Sequence, residues 1–156
     1  MTTTATRIGH RNVVWGWYFM ALGVITGSIL SAWSFGGPFA APPGFHDYAD
    51  LSRRMVRLAH IALFMLPIIN ILVGKDLDKI EVSDFWKQVA SWGAAISIIS
   101  VPGGLALGAL VTLNLKYLSA PGVTGLMVSL LIMGYGTLQR EKATQHTLSM
   151  AKVAPM

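Results

Sequence analysis

The feature that most limits what this chain can fold into is the stretch at residues 51–74, LSRRMVRLAHIALFMLPIINILVG. Three arginines open it, and residues 58–73 are then apolar except for His60 and Asn70. As an α-helix that run covers roughly 24 Å, slightly less than a hydrocarbon core of roughly 30 Å. Extending the helix back through Arg57, Arg54 and Arg53 closes the gap. The aliphatic stems of arginine can lie in the apolar zone while the charged heads reach water. A membrane-spanning helix over 52–74 is the expectation.

Three further apolar runs fit the same length rule, at 12–33, 86–113 and 122–138. With 53% hydrophobic and only 12% charged residues, the chain lacks the polar surface of a soluble domain of this size. The expected fold is all-α: a single polytopic integral membrane domain, a bundle of four transmembrane helices. Arg7 and Arg11 precede the first run, but that run is too long for a secretory h-region and ends in Trp33 rather than a small-residue cleavage site. It reads as a retained signal-anchor helix. Trp15, Trp17 and Tyr18 at one end of it, with Trp33 and Phe35 at the other, form aromatic belts at the two interfaces.

Small residues give each helix a contact face. Gly16, Met20, Gly23, Gly27 and Ser31 share one side of the first helix, and Gly23-x-x-x-Gly27 permits close backbone approach. Gly125 and Ser129 play the same part in the fourth, and Asn70 is expected to hydrogen-bond between helices. Val101-Pro102-Gly103-Gly104 interrupts the third run and predicts a kink or unwound step there, where Ser97, Ser100 and the segment 102–104 would line a small cavity.

The connections differ in character. Residues 34–50, SFGGPFAAPPGFHDYAD, combine three prolines with Phe35, Phe39, Phe45 and Tyr48, too apolar for a solvated linker. This loop is expected to be ordered and to dock on the membrane surface or a partner. Residues 75–87 mix charges of both signs and read as solvated, with a helix opening near Ser83. Residues 139–156 read as a polar, basic, partly disordered cytoplasmic tail.

A net charge of +5 would point to nucleic acid in a soluble protein. Here the basic residues flank the apolar runs, so lipid contact and orientation explain them and no nucleic-acid partner is expected. Arg7, Arg11, Lys75, Lys79, Lys87, Arg140, Lys142 and Lys152 lie on one side; Arg53, Arg54, Arg57 and Lys116 lie on the other. The excess places both termini in the cytoplasm, the membrane being the bacterial inner membrane.

Chemistry-bearing residues converge on the second helix. Arg53, Arg57, His60, Phe64, Pro67 and Ile71 fall within about 40° of one common direction on its surface. Cations at a helix N-terminus are disfavoured by roughly 0.3–1 kcal/mol, so acidic company is expected from Asp47 and Asp50, lipid phosphates, a partner or a cofactor. Asp50 or Ser52 is expected to cap the helix. His60, the one histidine inside a run, sits where haem b or a quinone headgroup could be held, with Arg53 and Arg57 pairing the propionates and Met127 as a second axial ligand. A histidine bonded across helices is the plainer alternative, and His46 from the loop is a forced second ligand.

Absences narrow the function. The chain has no cysteine, hence no disulfide, iron–sulfur cluster or covalent haem. No Asp or Glu lies inside an apolar run, which removes the usual groups of a proton relay. No paired-carboxylate, zinc-binding, nucleophile-elbow or phosphate-loop pattern occurs. The expectation is a non-catalytic accessory subunit of a larger membrane complex, such as a respiratory or other electron-transfer assembly. It would contact lipid and partner subunits through Arg53, Arg54, Arg57 and the loop aromatics. The alternatives are a redox subunit holding haem b or quinone at His60, and a small transporter or channel working at Pro102.

Overall fold

Long apolar runs without acidic residues satisfy their own backbone only as helices, and in the computed structural model, which describes residues 7–34 and 37–153, they do so four times. The helices are α1 (His10–Ser31), α2 (Leu51–Asp76), α3 (Asp84–Leu110) and α4 (Ala120–Val153). Short 3₁₀ turns at Leu77–Lys79 and Leu113–Ser119 precede α3 and α4. No strand occurs among the described residues. All four helices are long and apolar enough to cross a membrane.

The bundle follows chain order: α1 packs on α2, α2 on α3 and α3 on α4, with a small contact between α1 and α3. Neighbours are antiparallel. Gly9 meets Gly74 at one end of the α1–α2 pair and Gly27 meets His60 toward the other. Glycines set the spacing, since a Cβ on Gly16 would come within 2.9 Å of the Pro67 carbonyl and one on Gly23 within 3.1 Å of the Leu63 carbonyl. The Leu63 oxygen is the one that Pro67 deprives of its usual helical donor.

The α3–α4 seam is closer still. Gly93 and Gly125 cross backbone to backbone, so that a Cβ on Gly93 would stand 3.0 Å from the Gly125 carbonyl carbon. Gly122 donates its N–H to Ser100 Oγ at 3.1 Å, and the Ser100 hydroxyl donates to the Leu118 carbonyl. Ser97 donates to Ala94 O at 2.7 Å. These serines lock α3 to itself and to its neighbour; of the residues expected to line a cavity, Pro102 and Gly103 border the cleft described below and Ser97 and Ser100 do not.

Two other expectations are corrected. α3 stays helical through Val101–Gly104, with Pro102 buried inside it, so the expected unwound step does not form. The missing N–H removes one bond, but α2 and α4 flank the helix and hold it on both sides. The polar tail is also helical: α4 continues to Val153 without a glycine or proline after Gly136, in a segment rich in helix formers.

Packing is uneven along the bundle. At the end that holds the start of α1, Val73, Leu77, Ile80, Ala90 and Ala94 form a buried core closed over by Ile8, Ile132 and Met133. Leu77 and Ile80 belong to the connection expected to be solvated; its charges are exposed while these two residues anchor it. The opposite half of the bundle contains a cleft.

Candidate functional site

Two groups of polar residues stand out, one at each end. The first is a closed network at the tightly packed end. Asn12 donates to Asn70 Oδ1 at 3.0 Å and to the Ser91 carbonyl at 2.8 Å, and the Ser91 hydroxyl donates to Asn12 Oδ1. Asn70 donates to the carbonyls of Leu66 at 3.2 Å and Ala94 at 2.8 Å. All three side chains are 0% exposed. Arg11 caps the network, donating through Nε and Nη2 to Ser91 Oγ at 3.1 and 2.8 Å and to Gln88 Oε1 at 3.1 Å, with its guanidinium 3.9 Å above the Trp92 ring. Every amide position of both asparagines is occupied, so the network clamps α1, α2 and α3 and offers nothing to a ligand. Sequence reasoning singled out Asn70 but missed Asn12, Arg11 and Ser91. A polar residue just inside each apolar run was the available signal.

The second group surrounds His60. The Thr26 hydroxyl donates to Gly23 O at 2.9 Å and lies 3.3 Å from His60 Nδ1, tying the imidazole to α1. The ring edge lies on Gly27, where a Cβ would stand 2.8 Å from Cε1 and 3.2 Å from Nε2. Phe64 meets the imidazole edge to face, centroids 5.2 Å apart.

Both ring nitrogens lie toward α1, Nδ1 at Thr26 and Nε2 at Gly27. Met127 is 56% exposed on α4 and is not among the residues lining the His60 cleft. His46 is exposed on the loop. The fold therefore does not bring either of these two residues into the cleft beside His60.

The arginines also find other company than the sequence implies. Arg53 Nη1 donates to His46 O at 3.2 Å, with Phe45 O at 3.5 Å, and Arg57 stacks 4.1 Å from the Tyr48 ring centroid. Asp50 Oδ2 accepts from the Asp47 backbone N–H at 2.9 Å, turning the acid into the loop. Neither Asp50 nor Ser52 caps α2 through its side chain. Among the described residues the one ion pair is Lys79–Asp76 at the opposite end, so Arg53 and Arg57 keep uncompensated charge. Arg54 is exposed.

Phe45 is the buried anchor of the loop, packing edge to face on Trp33 at 6.0 Å. Phe39 and Tyr48 are exposed, and Phe35 lies outside the described residues. Gly23, Gly27 and Gly125 sit at helix contacts as described.

Beneath the loop, α1, α2 and α3 part to leave a cleft of about 320 Å³ with an almost wholly apolar lining. Its floor and walls include Phe19, Leu63, Ile98, Pro102 and Gly103, with Thr26 and His60 as its polar members. A second cavity, of about 240 Å³, lies toward the arginines and is bordered by Tyr48, Arg53, Arg57 and His60. A narrow neck of about 30 Å³, lined by Trp33, Phe45, Val56 and both arginines, adjoins the two. Among the described residues no group of His, Cys, Asp and Glu is arranged to hold a metal ion. No family of known proteins, no curated protein and no solved structure matches this chain.

Proposed function

We propose that the chain is inserted in a bacterial inner membrane by all four helices, both termini cytoplasmic, and serves as a non-catalytic subunit of a larger assembly of the electron-transfer kind. The observation that carries this reading is the outer part of α4. The helix has 34 residues, about 51 Å of rise, against a hydrocarbon core of roughly 30 Å. From Arg140 to Met150 every residue is exposed. A projecting helix with no tertiary support is marginal in water, so a partner surface is the natural source of its stability. The polar side chains of the helices support the same reading, because they are engaged in holding the bundle together. The alternative, a redox subunit holding haem b or quinone through His60, has less support, since both imidazole nitrogens face α1.

Purification in mild detergent tests the proposal. The 16.8 kDa chain is expected to co-elute with other subunits at fixed stoichiometry, and truncation after Gln139 is expected to release them while leaving the bundle's thermal midpoint unchanged. A chain that elutes alone, or a truncation that keeps its companions, would sink the subunit reading.

A further inference from the structure

The cleft, the neck and the basic mouth adjoin through shared lining residues, apolar at one end and cationic at the other. His60 and Leu30 line both the cleft and the mouth; Trp33 and Val56 line both the cleft and the neck. We propose that this space binds an acidic amphiphile. One acyl chain lies in the cleft, and a carboxylate or phosphate headgroup meets Arg53 and Arg57. The inference rests on membrane insertion for the supply of such a ligand, and does not depend on membership of a complex.

Three observations converge. The first is charge: two guanidinium groups one helical turn apart, without an ion-pair partner among the described residues, stand at the N-terminus of α2, where the helix dipole adds to their field. Arginine recognises carboxylate and phosphate oxygens through its fork of donors. The Arg57 guanidinium carbon lies 4.1 Å from the Tyr48 ring centroid, a contact that uses none of its N–H donors in a hydrogen bond.

Volume is the second. The cleft is equivalent to about ten waters at roughly 30 Å³ each, room for the greater part of one acyl chain. Its lining gives water nothing to bond, and such cavities take apolar occupants.

The third is the built opening. A Cβ added to half-buried Gly103 would meet nothing within 4 Å, in a helix whose buried glycines, Gly93, Gly104 and Gly108, are all pressed against neighbours. Gly103 is therefore not explained by helix packing. It lines the cleft, next to Pro102.

The test uses the delipidated full-length chain in a non-ionic detergent and brominated amphiphiles, which quench tryptophan at short range. Dibromostearate, a dibrominated phosphatidic acid and dibromostearate methyl ester are titrated in parallel. The two acids are expected to quench saturably, and the saturable part is expected to vanish in Trp33→Phe. Binding of the free acid alone identifies a fatty-acid carboxylate, and binding of phosphatidic acid alone a lipid phosphate; each supports the proposal. The double variant Arg53→Gln/Arg57→Gln is expected to weaken both acids by roughly tenfold or more, the loss of charge-assisted bonds, and to leave the ester unchanged. Gly103→Leu fills the cleft without a backbone clash and is expected to abolish saturable quenching. Ala106→Leu fills it from the next turn and repeats the measurement should the first variant not fold. The proposal is overturned if no acid quenches saturably, if the ester binds as tightly as the acids, or if a folded cleft-filling variant binds within twofold of wild type.

Discussion

Asn12, Asn70 and Ser91 join three helices and leave none of their amide or hydroxyl groups unpaired, so their value lies in completeness. Asn70→Leu orphans half of the Asn12 amide and takes one donor from the Ala94 carbonyl, which keeps the Ser97 hydroxyl. It is expected to cost about 1–2 kcal/mol, read as a lower unfolding midpoint in detergent micelles. Asn12→Leu with Asn70→Leu should cost less than the two single losses together, because each single variant already breaks the shared bond. Simple additivity would show that the bond is not formed. Ser129 is the counterexample: its side chain is fully buried between α3 and α4, and its hydroxyl has no partner. Ser129→Ala removes an unsatisfied group with little change of volume, so stability is expected to hold or rise by up to about 1 kcal/mol. A loss of that size would reveal a hidden bond.

At the scale of elements, α3 carries the bundle, since α2 packs on one side of it and α4 on the other. Its glycines divide into two kinds. Gly93 lies against the backbone of Gly125, whereas Gly103 faces open space. Gly93→Leu must push α4 away and is expected to destabilise the bundle by about 1–3 kcal/mol or more. Gly103→Ala adds helix propensity without a clash and is expected to stabilise by about 0.5–1 kcal/mol. Thermal melts of the two variants side by side decide this; equal effects would mean that the seam is not as close as described. Pro121 belongs with these elements too. It stands in the first turn of α4, where its missing N–H has no helical acceptor to lose.

The whole molecule is polar in its packing. Its core and its hydrogen-bonded clamp lie at the end shared by the start of α1 and the end of α2, and its cleft lies at the other. Antiparallel neighbours bring the described ends of α1 and α4 to the same side, next to the α2–α3 connection, where the Glu81 N–H donates to Gly136 O at 3.3 Å. A reporter fused after Met156 is expected to show cytoplasmic activity, and one inserted between α1 and α2 periplasmic activity. The reverse pattern would invert the orientation without changing the fold. Like signals from both would remove the four-span topology altogether.

Helix number was legible in the residues themselves, because chain length and apolar composition are local and a run such as 58–73 has few other ways to satisfy its backbone. The glycine faces of α1 and α4 were legible for the same reason, being a matter of spacing along one helix. Helix ends and interruptions were less so. Pro102 and the residues after Gln139 read locally as a break and a tail, yet α3 is held through its proline by neighbours on both sides, and α4 runs on to Val153. What no local pattern could decide was partnership. Asn12 meets Ser91 from 79 residues away, and the side of His60 that faces Thr26 depends on how α1 lies across α2. Charge attraction within the sequence pointed Arg53 and Arg57 at Asp47 and Asp50. The fold turned Asp50 onto its own loop and gave the guanidiniums carbonyls and an aromatic face instead. Composition sets which groups need partners, while the packing of helices distant in sequence decides which partners are within 3 Å.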